Sequence, residues 1–190
     1  CGHQNKNTKR YNMIYDIQKL KKQLQPGDVF VVHGRHLISR IIRIVTDSPW
    51  NHATMYLGKG KYNEANNKGV EIKSIEEYKD KTFEIYRHAK ISKKQQQIII
   101  KHVHSEVGKG YDVLQLLQLF LYFLFGVRGN AREIGTRNKY ICSELVAESY
   151  AVVGLPIYKN YHATQISPGD FPQSEYFRLC VQRKNVIVLK

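Results

Sequence analysis

Acidic residues are scarce in this 190-residue chain: 16 Asp and Glu stand against 30 Lys and Arg, a formal net charge of +14. Such an excess favours anionic partners, whether nucleic acid, anionic lipid or acidic cell-envelope polymer. The marks of a nucleic-acid module are missing, however. There is no arginine-rich arm, no RNP-type aromatic motif and no zinc-finger spacing. The basic residues are spread along the chain, as on a solvated surface, and no specific nucleic-acid partner is expected. Cysteine is scarce as well. Cys1, Cys142 and Cys180 include no C-x₂₋₄-C pair, so neither a metal site nor a cofactor is expected. A Cys142–Cys180 disulfide stays open at this level. No apolar run reaches 20 residues, so no spanning helix is implied. The longest, residues 113–127, is interrupted by Gln115 and Gln118. It reads as a buried helix or as an apolar wall facing a lipid-like substrate.

What is present is ordinary globular composition, 42% hydrophobic and 24% charged, in a length suited to one well-buried domain. Residues 1–10 are polar and basic and read as a flexible tether ahead of a single domain over residues 11–190. A cysteine at position 1 before such a tether resembles a bacterial lipoprotein after signal-peptide removal, with the lipid on Cys1 as a membrane tether and the cell envelope as its location. A chain cut there for convenience is the other reading. The sequence does not speak to oligomeric state.

Along the chain, Ile14, Ile17, Leu20 and Leu24 repeat at helical spacing, and Pro26-Gly27-Asp28 turns the chain into a short buried strand over residues 29–32. Residues 35–45 show the helical period again. Strands are expected at 53–57 and 61–65, joined by a hairpin at Gly58-Lys59-Gly60, and then at 69–72 and 82–87. A helix is expected over 92–107, another from Asp112 to Phe125, and a Gly- and Arg-rich loop over 126–139. A further helix runs from Cys142 to Val153, closed by Gly154 and Pro156. Strands at 176–182 and 185–189 finish the chain. The mixture predicts an α+β fold, an antiparallel sheet with helices packed on it.

One constellation carries chemistry. Cys142 lies where an apolar-periodic helix begins, and the unpaired N–H groups and positive dipole end there favour a thiolate. A thiolate nucleophile needs a base, and the base an orienting group. His52 opens the strand at 53–57, and Glu64 lies on the partner strand of the hairpin, a cross-strand or diagonal neighbour roughly 5–8 Å away at the backbone. Taken singly, Cys142 could be a small core residue, His52 a polar strand end and Glu64 a surface carboxylate. His102 and His104, two apart, face different sides of a helix and make no metal pair. His33 and His36 flank a turn, and His88 and His162 have no partner evident in the sequence.

The ordered motifs Pro26-Gly27-Asp28-Val29, Ser48-Pro49-Trp50-Asn51-His52-Ala53, Asn63-Glu64-Ala65, Gly110-Tyr111-Asp112 and Tyr140-Ile141-Cys142-Ser143-Glu144-Leu145-Val146 resemble the circularly permuted branch of the NlpC-type, papain-like cysteine amidases. The lecithin:retinol-acyltransferase-like proteins belong to the same group. The resemblance implies a papain-like permuted fold and a cysteine amidase or peptidase-like hydrolase, with Cys142 as nucleophile, His52 as base, Glu64 orienting the imidazole and Tyr111 as a donor near the oxyanion. It also implies a thiol hydrolase or acyltransferase acting on a cell-wall peptide amide or an acyl-lipid ester through a thioester. The competing expectation is a non-catalytic, envelope-anchored binding module on the same fold, which would leave the sulfur far from the imidazole.

Overall fold

The computed structural model describes residues 17–34, 43, 47–66, 68–111, 139–159 and 161–183. The expected tether, the expected helices over 35–45 and from Asp112 to Phe125, and the last strand at 185–189 lie outside them. The first helix is described as α1, Ile17–Gln23.

Six strands form one antiparallel sheet: β1 (Val29–His33), β2 (His52–Gly58), β3 (Lys61–Asn66), β4 (Gly69–Ser74), β5 (Thr82–His88) and, after a two-residue parallel ladder of β6 (Gly110–Tyr111) with β7 (Lys139–Tyr140), β8 (Phe177–Arg183). Their order is β4-β3-β2-β1-β5-β8. The expected strands thus appear, each within a residue or two of its predicted ends. The loop expected over 126–139 is corrected at its end, where Lys139 enters β7. A two-residue ladder has no periodicity for a sequence to display.

β1 explains the layering. Its first four residues, Val29-Phe30-Val31-Val32, are all buried, because successive side chains point to opposite faces and both faces are covered. Val29 and Val31 join Ala53, Met55 and Leu57 of β2 on one face, under α2 (Lys93–Glu106) and α3 (Cys142–Ala151) through Ile99, Val103, Val146 and Tyr150. Phe30 and Val32 join Tyr56, Tyr62, Phe83 and Ile85 on the other, closed by Ile17 and Leu20 of α1 and by Ile75 and Tyr78 of a 3-10 turn. A short α4, Asp170–Gln173, packs Phe171 into the first layer.

Two anchors set the position of α3. The Tyr150 hydroxyl donates to the Gly27 carbonyl. Next to it, Asp28 is held from two sides: Arg87 donates Nε to Oδ1 at 2.6 Å and Nη2 to Oδ2 at 2.8 Å, and the Gln25 N–H donates to Oδ2 at 2.8 Å. Asp28 is fully buried, so its charge depends on these donors. Gly69 fixes the other edge. Its φ is +102°, and a Cβ there would sit 2.4 Å from the Lys109 carbonyl oxygen, the atom that accepts the Val70 N–H. His88, without a partner evident in sequence, is buried against Tyr150; its Nε2–H donates to the Pro156 carbonyl while Nδ1 accepts the Lys90 N–H.

Removing Arg87 strands a buried carboxylate. Arg87→Ala is expected to lower stability by about 3–5 kcal/mol, read as a fall in the urea midpoint at unchanged slope; a loss under ~1 kcal/mol would mean that Asp28 finds another partner.

Candidate active site

The site forms where the first turn of α3 meets the open end of the β2–β3 hairpin. Cys142 is the first residue of α3, and Ile141 precedes it in extended conformation. Ile141 has no side-chain acceptor to cap the helix, so Glu144 reaches back to accept the Ile141 N–H at 3.3 Å. The early N–H groups of the helix have no partner within it and face the sulfur end. Cys142 is 8% exposed and packs with Ala65, Val70 and Leu145.

His52 begins β2, paired with Val32 of β1. Counting back along the hairpin from the Tyr56–Tyr62 pair sets Glu64 level with Thr54, which makes His52 the diagonal neighbour anticipated from spacing. The structure brings the two into contact: His52 Nε2 lies 2.6 Å from Glu64 Oε1. Nδ1 is then the ring nitrogen left to face Cys142, whose thiol and the imidazole shift each other's pKa.

The electrostatics follow from this order of groups. Burial by itself lowers the His52 pKa. The charge and hydrogen bond of Cys142, followed by those of Glu64, outweigh burial and raise it from 6.5 to about 10. Burial by itself raises the thiol pKa. The His52 charge and hydrogen bond, together with the Ala53 backbone N–H, lower it below the usual thiol value, with Glu64 opposing. Glu64 is lowered too: burial works against ionisation, and the hydrogen bond and charge of His52, then Lys81 and Lys73, prevail. All three shifts favour a thiolate and a carboxylate sharing one imidazolium.

Beneath it the floor is aromatic and neutral. Tyr78 is fully buried, its hydroxyl 2.5 Å from Thr54 Oγ1, its ring edge-on to Tyr62 at 4.8 Å, with Lys81 Nζ 4.7 Å above it. Burial pushes the Tyr78 phenol far above its ordinary range.

Of the sequence-predicted residues, Cys142, His52 and Glu64 come together. The backbone of Tyr111 pairs with Tyr140; the side chain expected near the oxyanion lies outside what is described, as does the apolar stretch over 113–127. The disulfide left open is absent: Cys142 and Cys180 are both free thiols, the first buried and the second exposed. Sequence reasoning assigned no role to Ala53, Asn63, Thr54, Tyr78 or Lys81. For Ala53 and Asn63 a signal existed in their adjacency to His52 and Glu64 on the two strands. A separate cleft of about 360 Å³, lined among others by Ala151, Leu155, Ile157, Tyr158 and Tyr161, flanks the far end of α3 and does not include Cys142.

Comparisons with known proteins agree with this fold. The family described as permuted papain-like amidase enzyme, YaeF/YiiX, C92 family, matches residues 23–178. No curated protein matches the chain. Among solved structures, the chain is similar to the metalloprotein YiiX from Escherichia coli O157:H7, with 17% identity and a TM-score of 0.64 over 85% of this chain and 98% of that one. At that identity the likeness speaks for the fold.

The shared imidazolium has a pH signature. Alkylation of Cys142 by iodoacetamide, followed on its own peptide by mass spectrometry, is expected to stay fast well below the ordinary thiol value of 9.0 and to show no fall on the alkaline side. A midpoint at the ordinary value would show that no ion pair forms.

Proposed function

The chain belongs to the permuted papain-like amidases of the YaeF/YiiX type, the C92 family, and we propose that it hydrolyses an amide bond through a thioester on Cys142. The observation that carries this reading is the convergence of a helix-start thiol, an imidazole and a buried carboxylate, with His52 Nε2 2.6 Å from Glu64 Oε1. A binding module would have no use for a depressed thiol or for a histidine kept charged by two anions.

The steps use these side chains, the Cys142 backbone N–H and water. The Cys142 thiolate attacks the amide carbon; a C–S bond forms and the carbonyl oxygen becomes an oxyanion. The Cys142 N–H, at the helix start, is the donor for that oxygen, and each such donor is worth about 3 kcal/mol. As the C–N bond breaks, His52 gives its Nδ1 proton to the leaving nitrogen. Water then attacks the thioester, passing a proton to His52, and the acid leaves as the thiolate is restored. Glu64 holds the ring through Nε2 and stabilises its charge throughout. The similar YiiX structure is titled a metalloprotein. Among the described residues here, no group of three or more His, Cys, Asp and Glu is arranged to hold a metal ion, and the chemistry is derived without one.

For the substrate, an amide in a cell-wall peptide fits best. The net charge of +14 draws the protein to an anionic polymer, and amide cleavage is the activity the family's description names. Acyl-lipid ester cleavage and acyl transfer would use the same thioester, but the aromatic stretch that would favour them, residues 116–125, is outside the described structure.

Cys142→Ala is expected to abolish hydrolysis and labelling by thiol-directed probes, and retained turnover would end the proposal. His52→Ala should lower kcat by about 10²–10⁴. With the native chain, kcat should fall at high pH as His52 loses its proton near about 10, although alkylation continues. Incubation with peptidoglycan fragments and with phospholipid vesicles, analysed by mass spectrometry, should yield new amines and acids from the former; fatty-acid release from the vesicles alone would overturn the amide assignment.

A further inference from the structure

The hairpin that carries His52 and Glu64 is zipped at only one end. Its backbone register is Tyr56↔Tyr62 and Gly58↔Lys61, with an irregularity between those pairs. Toward His52 the two strands continue side by side without further pairs. β2 shows why this matters. Tyr56 gives its N–H to the Asp28 carbonyl on the β1 side at 2.7 Å. N–H groups alternate in direction along a strand, so those of Met55 and Ala53 turn toward β3. No register pair with β3 continues past Tyr56 to hold them. The Met55 N–H donates to the side-chain oxygen Oδ1 of Asn63. The Ala53 N–H lies near enough to the Cys142 thiol to lower its pKa, and Cys142 packs on Ala65 of β3.

Asn63 is an expensive choice for that place. It is 1% exposed, and its Nδ2 is buried with no hydrogen-bond partner. An aliphatic side chain would fill the same space without an orphaned donor. What only the carboxamide supplies is an acceptor projecting from β3 into the gap, in place of a backbone carbonyl.

We propose that Asn63 is a positioning residue: its carboxamide, wedged between β2 and β3, keeps the ladder open so that the Cys142 sulfur occupies the place of a missing rung and takes the Ala53 N–H. The inference rests on the reading of Cys142 as the nucleophile and extends it. The fold holds the thiolate with a main-chain donor that a closed hairpin would spend on β3. The same opening lets Ala65 sit against Cys142.

The test is the pH dependence of Cys142 alkylation in the full chain, followed on the Cys142 peptide so that Cys1 and Cys180 do not interfere. In the native chain the midpoint should lie well below 9.0. Asn63→Leu, close in size but without the acceptor, should move it up by about one pH unit, a roughly tenfold slower reaction on the acid side of the midpoint. Ile85→Val, a core trim in the opposite layer, should weaken the fold without moving the midpoint. If Asn63→Leu fails to fold, Asn63→Ser, whose hydroxyl is too short to span the gap, carries the same expectation. A folded Asn63 variant that keeps the native midpoint overturns this inference and leaves the nucleophile assignment standing. A native chain that titrates at the ordinary thiol value overturns both.

Discussion

Two negative charges in this molecule depend on one positive ring. Cys142 and Glu64 are both largely withdrawn from water, and charge in a poorly solvated place is tolerable only when paired. His52 lies between them. Its pKa is held high because losing its proton would leave thiolate and carboxylate facing each other across a neutral imidazole. The remaining negative excess is spread over the Ala53 N–H, the start of α3, and the more distant Lys73 and Lys81. This differs from Asp28 and Arg87, where one anion meets one cation through two hydrogen bonds and nothing is left over to react. Both are buried ion pairs; only the first carries a second negative group.

The sheet makes that arrangement rigid by being incomplete at one point. An antiparallel hairpin paired along its full length would present no free main-chain donor at its edge. Here β2 is fully committed to β1 and only partly to β3, and the first turn of α3 docks at the gap. The helix cannot slide, because Tyr150, two turns further on, is tied to Gly27 at the start of β1, and Gly27 in turn gives its N–H to Tyr56 of β2 at 2.8 Å. The turn at Pro26-Gly27-Asp28 thus connects the sulfur's helix and the histidine's strand, although it contributes no atom to the reaction.

Most of the fold could be read locally. Alternating or continuous apolar residues marked β1 to β5 and β8, Ser92 capped α2 as a serine before a helical run should, and Gly58-Lys59-Gly60 marked the hairpin. The β6–β7 ladder and the 3-10 turn bearing Tyr78 were not legible, since two to four residues carry no period and their pairing is decided by what they land on. In the site, His52 and Glu64 could be associated from hairpin spacing, because the turn between them is short and a strand has a fixed rise.

The sequence by itself determined the six strands of the sheet and the described helices α1 to α3, that a lone thiol would begin a helix, and that an imidazole and a carboxylate would be neighbours across one hairpin. These depend on interactions between residues close in the chain. Only the tertiary structure decided that Cys142, 90 positions after His52, would arrive at that hairpin against Ala65, and that the Asn63 side chain would accept the Met55 N–H. Those contacts exist because two apolar layers close over the sheet and exclude water, and no local pattern records where a closing layer will set down a particular atom.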